Sequence, residues 1–389
     1  MKKLLFLLPI LLLLAACHQV ETLAPETYTC QALGTDLSDQ HPEAGAYEAL
    51  INGGDAQGLV GGAIFIQDEN GYWQGAWGKA NIEADISMET CHRFLIASIS
   101  KVFTATVIHA MVDDGYWKLD DPISRYLHPD TVARIAHADQ ATLGHLLSHT
   151  SGIPDHYTAT FELDRINQID NEWRHEDFLS YAFGRPATFE LGTSYGYSNT
   201  NYVLLGILAE RVSGESLASL YKNYIFQPLG LESAYFDGYS APIPTGTAQG
   251  YGQLYEEGLI ASTPLYQDEL KTGDGGIAIH AADLGRFYQG LANGQLLSTE
   301  SYAAMTNWFE LPEDWVEDVI YQNKNGYGLE YFDYPNGYAW GHTGSVDGFL
   351  SIAMYFPETQ RTAIFLTNEA SGRNNRLNVW NEVLDILFE

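Results

Sequence analysis

Three serines in this chain are spaced as nucleophiles are spaced. Ser98 and Lys101, within FLIASISKVFTAT, stand three apart where an apolar helix begins. Residues three apart on a helix share a face, with Cβ atoms about 5–6 Å apart, so the amine can reach the hydroxyl. A lysine desolvated there is neutral near pH 7 and can take the serine proton. The free N–H groups of the helix start favour the negative charge that develops at the serine. The same spacing recurs at Ser219–Lys222, inside a segment already under way, where a structural role suits it. Gly192-Thr193-Ser194-Tyr195-Gly196 fits the G-x-S-x-G elbow, which needs a strand before the serine and a helix after it. Pro186 interrupts that would-be strand, and Tyr-Ser-Asn follows where an apolar helix should start. Asp333 and His342 still come in the order such a triad requires, so the elbow stays open as an alternative.

Other reactive side chains carry weaker signals. His145 and His149 are four apart on an expected helix with His156 nearby, but zinc needs a third ligand that only the fold can place. His175-Glu176 lacks the spacing of H-E-x-x-H. No cysteine sits in a C-x-x-C pair or a Cys/His cluster, so neither zinc nor thiol chemistry is supported. No metal and no cofactor are expected.

The elements that must position these groups follow from periodicity. LVGGAIFIQDENGYWQGAWGKAN alternates on both sides of the turn-forming Asp68-Glu69-Asn70-Gly71 and predicts a hairpin. The helix from Ser98 is expected to run to about Val112 and stop at Asp113-Asp114-Gly115. Residues 116–270 lean helical, with NYVLLGILAERVSG a buried helix closed by Gly214. HAADLGRFYQGLANG predicts a further helix from His280. The period then switches: YAWGHTGSVDGFLSIAMYFPETQRTAIFLTN predicts two or three antiparallel strands, and RLNVWNEVLDILFE a closing helix. Strands near both ends with helices between predict an α+β fold: one antiparallel sheet built from both termini, flanked by helices, plus a largely helical subdomain.

The N-terminal MKKLLFLLPILLLLAAC is expected to be a targeting segment. Its apolar run, Leu4 to Ala16, contains Pro9 and is shorter than the about 20 residues a membrane span needs. Leu14-Ala15-Ala16-Cys17 resembles a bacterial lipobox, with Cys17 lipidated; a plain signal peptide cleaved nearby is the alternative. Export to the periplasm or cell surface, anchored to a membrane by lipid, places the chain in an oxidising compartment. Cys30 and Cys91 then remain as an even pair that permits one disulfide, with two buried thiols as the alternative. Fifty acidic residues stand against 19 lysines and arginines; the two lysines lost with residues 1–16 take the net charge from −31 to −33. Such a surface repels nucleic acid and anionic headgroups. The expected partner is a small-molecule or peptide substrate, and the sequence does not specify an oligomeric state.

Four stretches in order resemble the class C β-lactamase-related serine hydrolases, the family of β-lactamase, DD-peptidase and esterase type. They are Ser98-Ile-Ser-Lys101, LLSHTSGIP at 146–154, Tyr197-Ser-Asn199, and His342-Thr343-Gly344. The resemblance implies a hydrolase domain over 46–389, with an α/β part at 46–112 and 275–389 and a helical part at 113–274. A signal peptide at 1–16 and a tether at 17–45 precede it. It implies Ser98 as the acylated nucleophile, Lys101 and Tyr197 as its activating pair, and Asn199 orienting the substrate amide or Lys101. The backbone N–H groups of Ser98 and Ser345 would form the oxyanion hole, with His342, Thr343 and Gly344 lining the wall opposite. Lys271-Thr272-Gly273 is a literal match to the lactamase third motif, but KTGDGG has too many glycines for a strand interior. His342 therefore stands where lactamases carry lysine, and Glu330 follows Tyr327-Gly328-Leu329 where carboxypeptidase relatives can carry arginine. A wall without a strong cation suits a carboxylate substrate poorly. An exported esterase or peptidase/amidase is expected, with a DD-carboxypeptidase or class C-type β-lactamase, or a non-catalytic binding lipoprotein, as alternatives.

Overall fold

The computed structural model describes residues 40–56, 58–167, 173–236, 245–252, 261–262, 272–312, 322–334, 337–370 and 373–388. The expected signal peptide, the lipidated Cys17, Cys30 and all but the last residues of the tether lie outside these residues. Among the described residues, no helix is long and apolar enough to cross a membrane.

The hairpin forms where alternation predicts it. Strands Gly61–Asp68 and Gly71–Asn81 pair from Gly61↔Gly78 to Asp68↔Gly71, joined by the two-residue loop Glu69-Asn70. Ala63 and Phe65 pack on one face of the sheet, Ile64 and Ile66 on the other. Burial of both faces is why this strand reads as an unbroken apolar run. It pairs antiparallel with Arg361–Thr367, so the two ends of the domain meet in one sheet.

Nine strands make that sheet, in the spatial order 86–87, 71–81, 61–68, 361–367, 349–356, 337–346, 330–334, 322–325, 309–310. Helices Ala44–Ala56 and Arg373–Phe388 cover one face, with Tyr47, Leu50, Val379, Trp380 and Val383 buried against Trp73, Trp77 and Phe365. The other face carries the larger core, shared with helices Ser100–Asp113, Asn199–Ser213 and Ala281–Ala292. Every residue from Ser100 to Met111 is buried, so this helix runs through the centre. Each fully buried Val, Ile or Phe contributes roughly 1.5–3 kcal/mol, which fixes the helix start firmly.

Helices expected within 113–274 are present, among them Asn199–Ser213, which ends at Gly214 in the left-handed conformation with φ +76°. The helix after His280 spans Ala281–Ala292, with the His280 side chain accepting from the Asp283 N–H as its cap. The helix Ala44–Ala56 and the strands Gln322–Asn325 and Glu330–Tyr334 go beyond the sequence expectations. A short pairing of Phe94–Leu95 with Ala278–Ile279 ties the segment before Ser98 to the loop 272–276.

Candidate active site

Ser98 lies in a tight turn, Ala97–Ile99, that runs directly into helix Ser100–Asp113. Ala97 holds φ at +49°, a sparsely allowed conformation for a residue with a Cβ, and it turns Ser98 to the half-exposed edge of the core. One turn later Lys101 is completely buried. Its Nζ donates to Ser98 Oγ at 3.0 Å and to the backbone oxygen of Asp274 at 2.8 Å. Burial lowers the amine to about 8, against the opposing pull of Asp274, Asp155 and Glu330. An amine at that value is half neutral at mildly alkaline pH.

Tyr197 faces the same amine, its ring centroid 5.1 Å from Lys101 Nζ. The residue is half-buried, and its hydroxyl is shut from solvent beside Ser98. Burial raises its pKa well above 10; Ser98 pulls it down and Glu330 pushes it further up. His149 of LLSHTSG holds Tyr197 in place. Its carbonyl accepts the Gly196 N–H at 3.0 Å and its Nδ1 the Ser198 N–H at 3.1 Å. Its ring stacks on Tyr197 at 4.4 Å. Burial drives the His149 pKa far below 6.5, consistent with a neutral ring whose Nδ1 accepts. Asn199 does not touch Lys101: its Nδ2 donates to Asp155 at 3.0 Å, and Asp155 also takes the Asn199 N–H.

The opposite wall is strand Gly337–Val346. Its pairing with Glu330–Tyr334 stops at Glu330↔Gly341, leaving the edge from Thr343 onward open on that side. The Glu330 carboxylate closes the first open position by accepting the Thr343 N–H at 2.9 Å. N–H groups two apart on a strand face the same edge, so the Ser345 N–H looks out where the Thr343 N–H does. Gly344 between them packs on the backbone of Ile96 so closely that no Cβ would fit. That joint brings the strand edge beside the Ser98 turn. His342 is buried and donates from Nδ1 to Thr343 O, with Glu330 Oε2 3.7 Å away. Burial, aided by Lys101, lowers its pKa to about 3, so it is neutral.

A cavity of about 600 Å³ opens between these walls. Ser98, Tyr197, Asn199, Glu330, His342, Thr343, Gly344 and Ser345 line it, as do Tyr157, Asp274 and Asp347. The structure thus gathers every site residue expected from sequence except the three cysteines. Cys91 is disulfide-bonded, and Cys17 and Cys30 lie outside the described residues.

The rival motifs lie elsewhere. Ser194 stands in irregular turns, with no strand before it and the next helix starting at Asn199. Ser219 sits in a helix start capped by Ser216: its N–H donates to the Ser216 hydroxyl, the two hydroxyls are 3.0 Å apart, and Lys222 is exposed. Lys271 lies outside the described residues, but Thr272, Gly273 and Asp274 are buried beneath Lys101. Asp155 and Asp274 are thus site residues that the sequence reading missed, and His149 was weighed there only as a zinc ligand. The sequence segments KTGDGG and LLSHTSG were the hints available.

A family model described as Beta-lactamase matches residues 47–386. Penicillin-binding protein 4* of Bacillus subtilis (strain 168) is 26% identical over 325 residues, covering 80% of this chain and 69% of that protein. A D-stereospecific amidohydrolase from Streptomyces sp. superposes with a TM-score of 0.75 at 24% identity, over 86% of this chain and 97% of the other. The D-amino acid amidase from Ochrobactrum anthropi SV3 (complexed with L-phenylalanine amide) gives 0.74 at 24% identity, over 88% and 99%. The architecture is that of the β-lactamase and DD-peptidase fold.

Proposed function

The chain belongs to the β-lactamase family of serine hydrolases, and from that premise we propose that it is an exported esterase or peptidase/amidase acting through an acyl-enzyme on Ser98. The observation that carries this is the buried Lys101 amine, 3.0 Å from Ser98 Oγ and lowered to about 8. Neutral Lys101 takes the Ser98 proton as Oγ attacks the carbonyl carbon of the substrate. The oxyanion sits between the N–H groups of Ser98 and Ser345. Lys101 returns the proton to the leaving amine or alkoxide, and the acyl group stays on Ser98. A water molecule then attacks the ester, giving its proton to Lys101, which hands it back to Ser98 as the acid departs. Tyr197 stays protonated through acylation because burial holds its pKa well above 10. In this proposal Lys101 is accordingly the acylation base, with Tyr197 its protonated neighbour.

A dedicated β-lactamase or DD-carboxypeptidase must hold a carboxylate, and a lysine or arginine does that best. Neither residue is among the described residues that line the cavity. Export and a lipid at Cys17 complete the proposal, supported by the apolar run ending in Leu-Ala-Ala-Cys.

The test is a hydrolysis panel of short acyl esters, aminoacyl amides, nitrocefin and D-Ala-D-Ala peptides. Turnover of esters or amides should fall at least about 10³-fold in Ser98→Ala and persist in Ser194→Ala. Turnover that survives Ser98→Ala would overturn the assignment.

A further inference from the structure

Glu330 opens strand Glu330–Tyr334 at the point where pairing with the cavity-lining strand ends. It is 5% exposed and lines the cavity. Its Oε2 takes both donors of Thr343, the N–H at 2.9 Å and the hydroxyl at 3.4 Å. A hydroxyl that donates inward to a carboxylate presents only lone pairs to a ligand. His342 makes the same kind of surface: with Nδ1 donating to Thr343 O, the other ring nitrogen, Nε2, carries the lone pair of a neutral imidazole. The part of the wall facing Ser98 that Thr343 and His342 form thus presents side-chain acceptors with a buried carboxylate behind them. Among the described residues lining this cavity there is no lysine or arginine, whereas Asp274 and Glu330 are present; Asp347 lines it too but is paired with Arg165. Lys101 is turned to Ser98 Oγ and Asp274 O beneath it.

A carboxylate brought to the part of this wall formed by Glu330, Thr343 and His342 would meet like charge and side-chain acceptors, the donors of Ser345 lying further along the strand. An ammonium would meet acceptors and opposite charge in a partly desolvated site, where such contacts are strongest. We propose that Glu330, through Thr343 and His342, forms a subsite for a protonated amine of the substrate. The substrate class is then aminoacyl esters, aminoacyl amides and short peptides with a free amino group near the scissile carbonyl. This rests on Ser98 being the acylated residue, and it goes further by naming the group that the facing wall selects.

The experiment compares three p-nitroanilides of one amino acid at pH 7: the free ammonium, the N-acetyl and the N-succinyl derivative. The full chain and its Glu330→Gln variant are assayed for kcat/KM. Glutamine keeps the size of Glu330 and an oxygen for Thr343, and removes the charge. In wild type the ammonium substrate should be preferred over the succinyl one. Glu330→Gln should lower the ammonium-to-acetyl ratio about tenfold or more, the scale of one hydrogen bond to a charged group. In parallel, calorimetry on Ser98→Ala, with and without Glu330→Gln, measures binding of the amino-acid amide, which should weaken by a similar factor. A ratio and a Kd that both change less than about twofold would overturn the subsite, as would a wild-type preference for the succinyl substrate. If no substrate turns over and Ser98 takes no label, the acyl-enzyme reading fails by itself; the calorimetric comparison still decides on Glu330.

Discussion

Gly344→Ala is the substitution whose consequence the structure fixes most tightly. A Cβ at 344 would fall more than about 1 Å short of ordinary van der Waals contact with the carbonyl oxygen of Ile96. It would also lie 3.2 Å from Ile96 C and 3.3 Å from Ala97 Cβ. The crowding atoms belong to the backbone of the turn that carries Ser98, so no side-chain rotation relieves them. Strand and turn must separate by about 1 Å, and the Ser345 N–H moves away from the carbonyl that Ser98 attacks. A 1 Å misplacement costs about 10²-fold in rate, and loss of an oxyanion donor about 10²–10³-fold. The variant should therefore lose about 10²–10³ in kcat/KM toward a short acyl p-nitrophenyl ester. Overpacking adds a stability cost of about 1–3 kcal/mol, so the chain should still fold at 25 °C. The assay is ester turnover beside thermal unfolding, with Ser345→Ala as a control that keeps the backbone donor. A folded Gly344→Ala enzyme within about threefold of wild type would refute the rigid joint and the oxyanion geometry built on it.

Two further outcomes follow from buried groups. Asp274→Asn removes a charge that holds the Lys101 pKa up while leaving the backbone oxygen that Lys101 contacts. The rising limb of kcat/KM against pH should therefore move to lower pH, and an unchanged or higher midpoint would contradict that coupling. His109 lies mid-helix with neither ring nitrogen partnered among the described residues, and burial lowers its pKa to about 4. Its stability contribution is complete above the unfolded value near 6.5 and is lost as pH falls toward 4, on the order of 3 kcal/mol. His109→Leu should raise the unfolding midpoint at pH 7 and flatten the loss of stability between pH 6.5 and 4, as read by urea titration; a lower midpoint at both pH values would show that His109 has a partner.

The local elements and the Ser98–Lys101 pair were legible because they are encoded locally. Alternation marked the hairpin around Glu69-Asn70, helical spacing marked Ser98 and Lys101, and Gly214 marked a helix end. The rival serines were separable for the same reason, since Pro186 and the missing helix after Ser194 are local facts. What sequence could not carry were contacts between distant segments. Lys101 meets Asp274 across 173 positions. Asn199, expected near Lys101 or the substrate, is held by Asp155, 44 positions away. Residues 272–276, refused as a strand interior, form turns, and Asp274 lies under Lys101 because Phe94–Leu95 and Ala278–Ile279 pair. Glu330 was visible as an anomaly, but its hold on Thr343 depends on where a strand ladder ends. The strand that carries it packs as a middle strand of the sheet, and sequence period alone did not single it out.

The central claim is that Ser98 is activated by a neutral Lys101. Its most direct test is the rate of Ser98 modification by a fluorophosphonate probe from pH 6 to 9.5, with the labelled peptide identified by mass spectrometry. With Lys101 near 8, the rate should rise about fivefold from pH 7 to 8 and less than about twofold from 8 to 9, following the neutral amine. Lys101→Met should remove that limb. Label on Ser194 or Ser219, or a rate at Ser98 independent of pH across this range, would contradict the account.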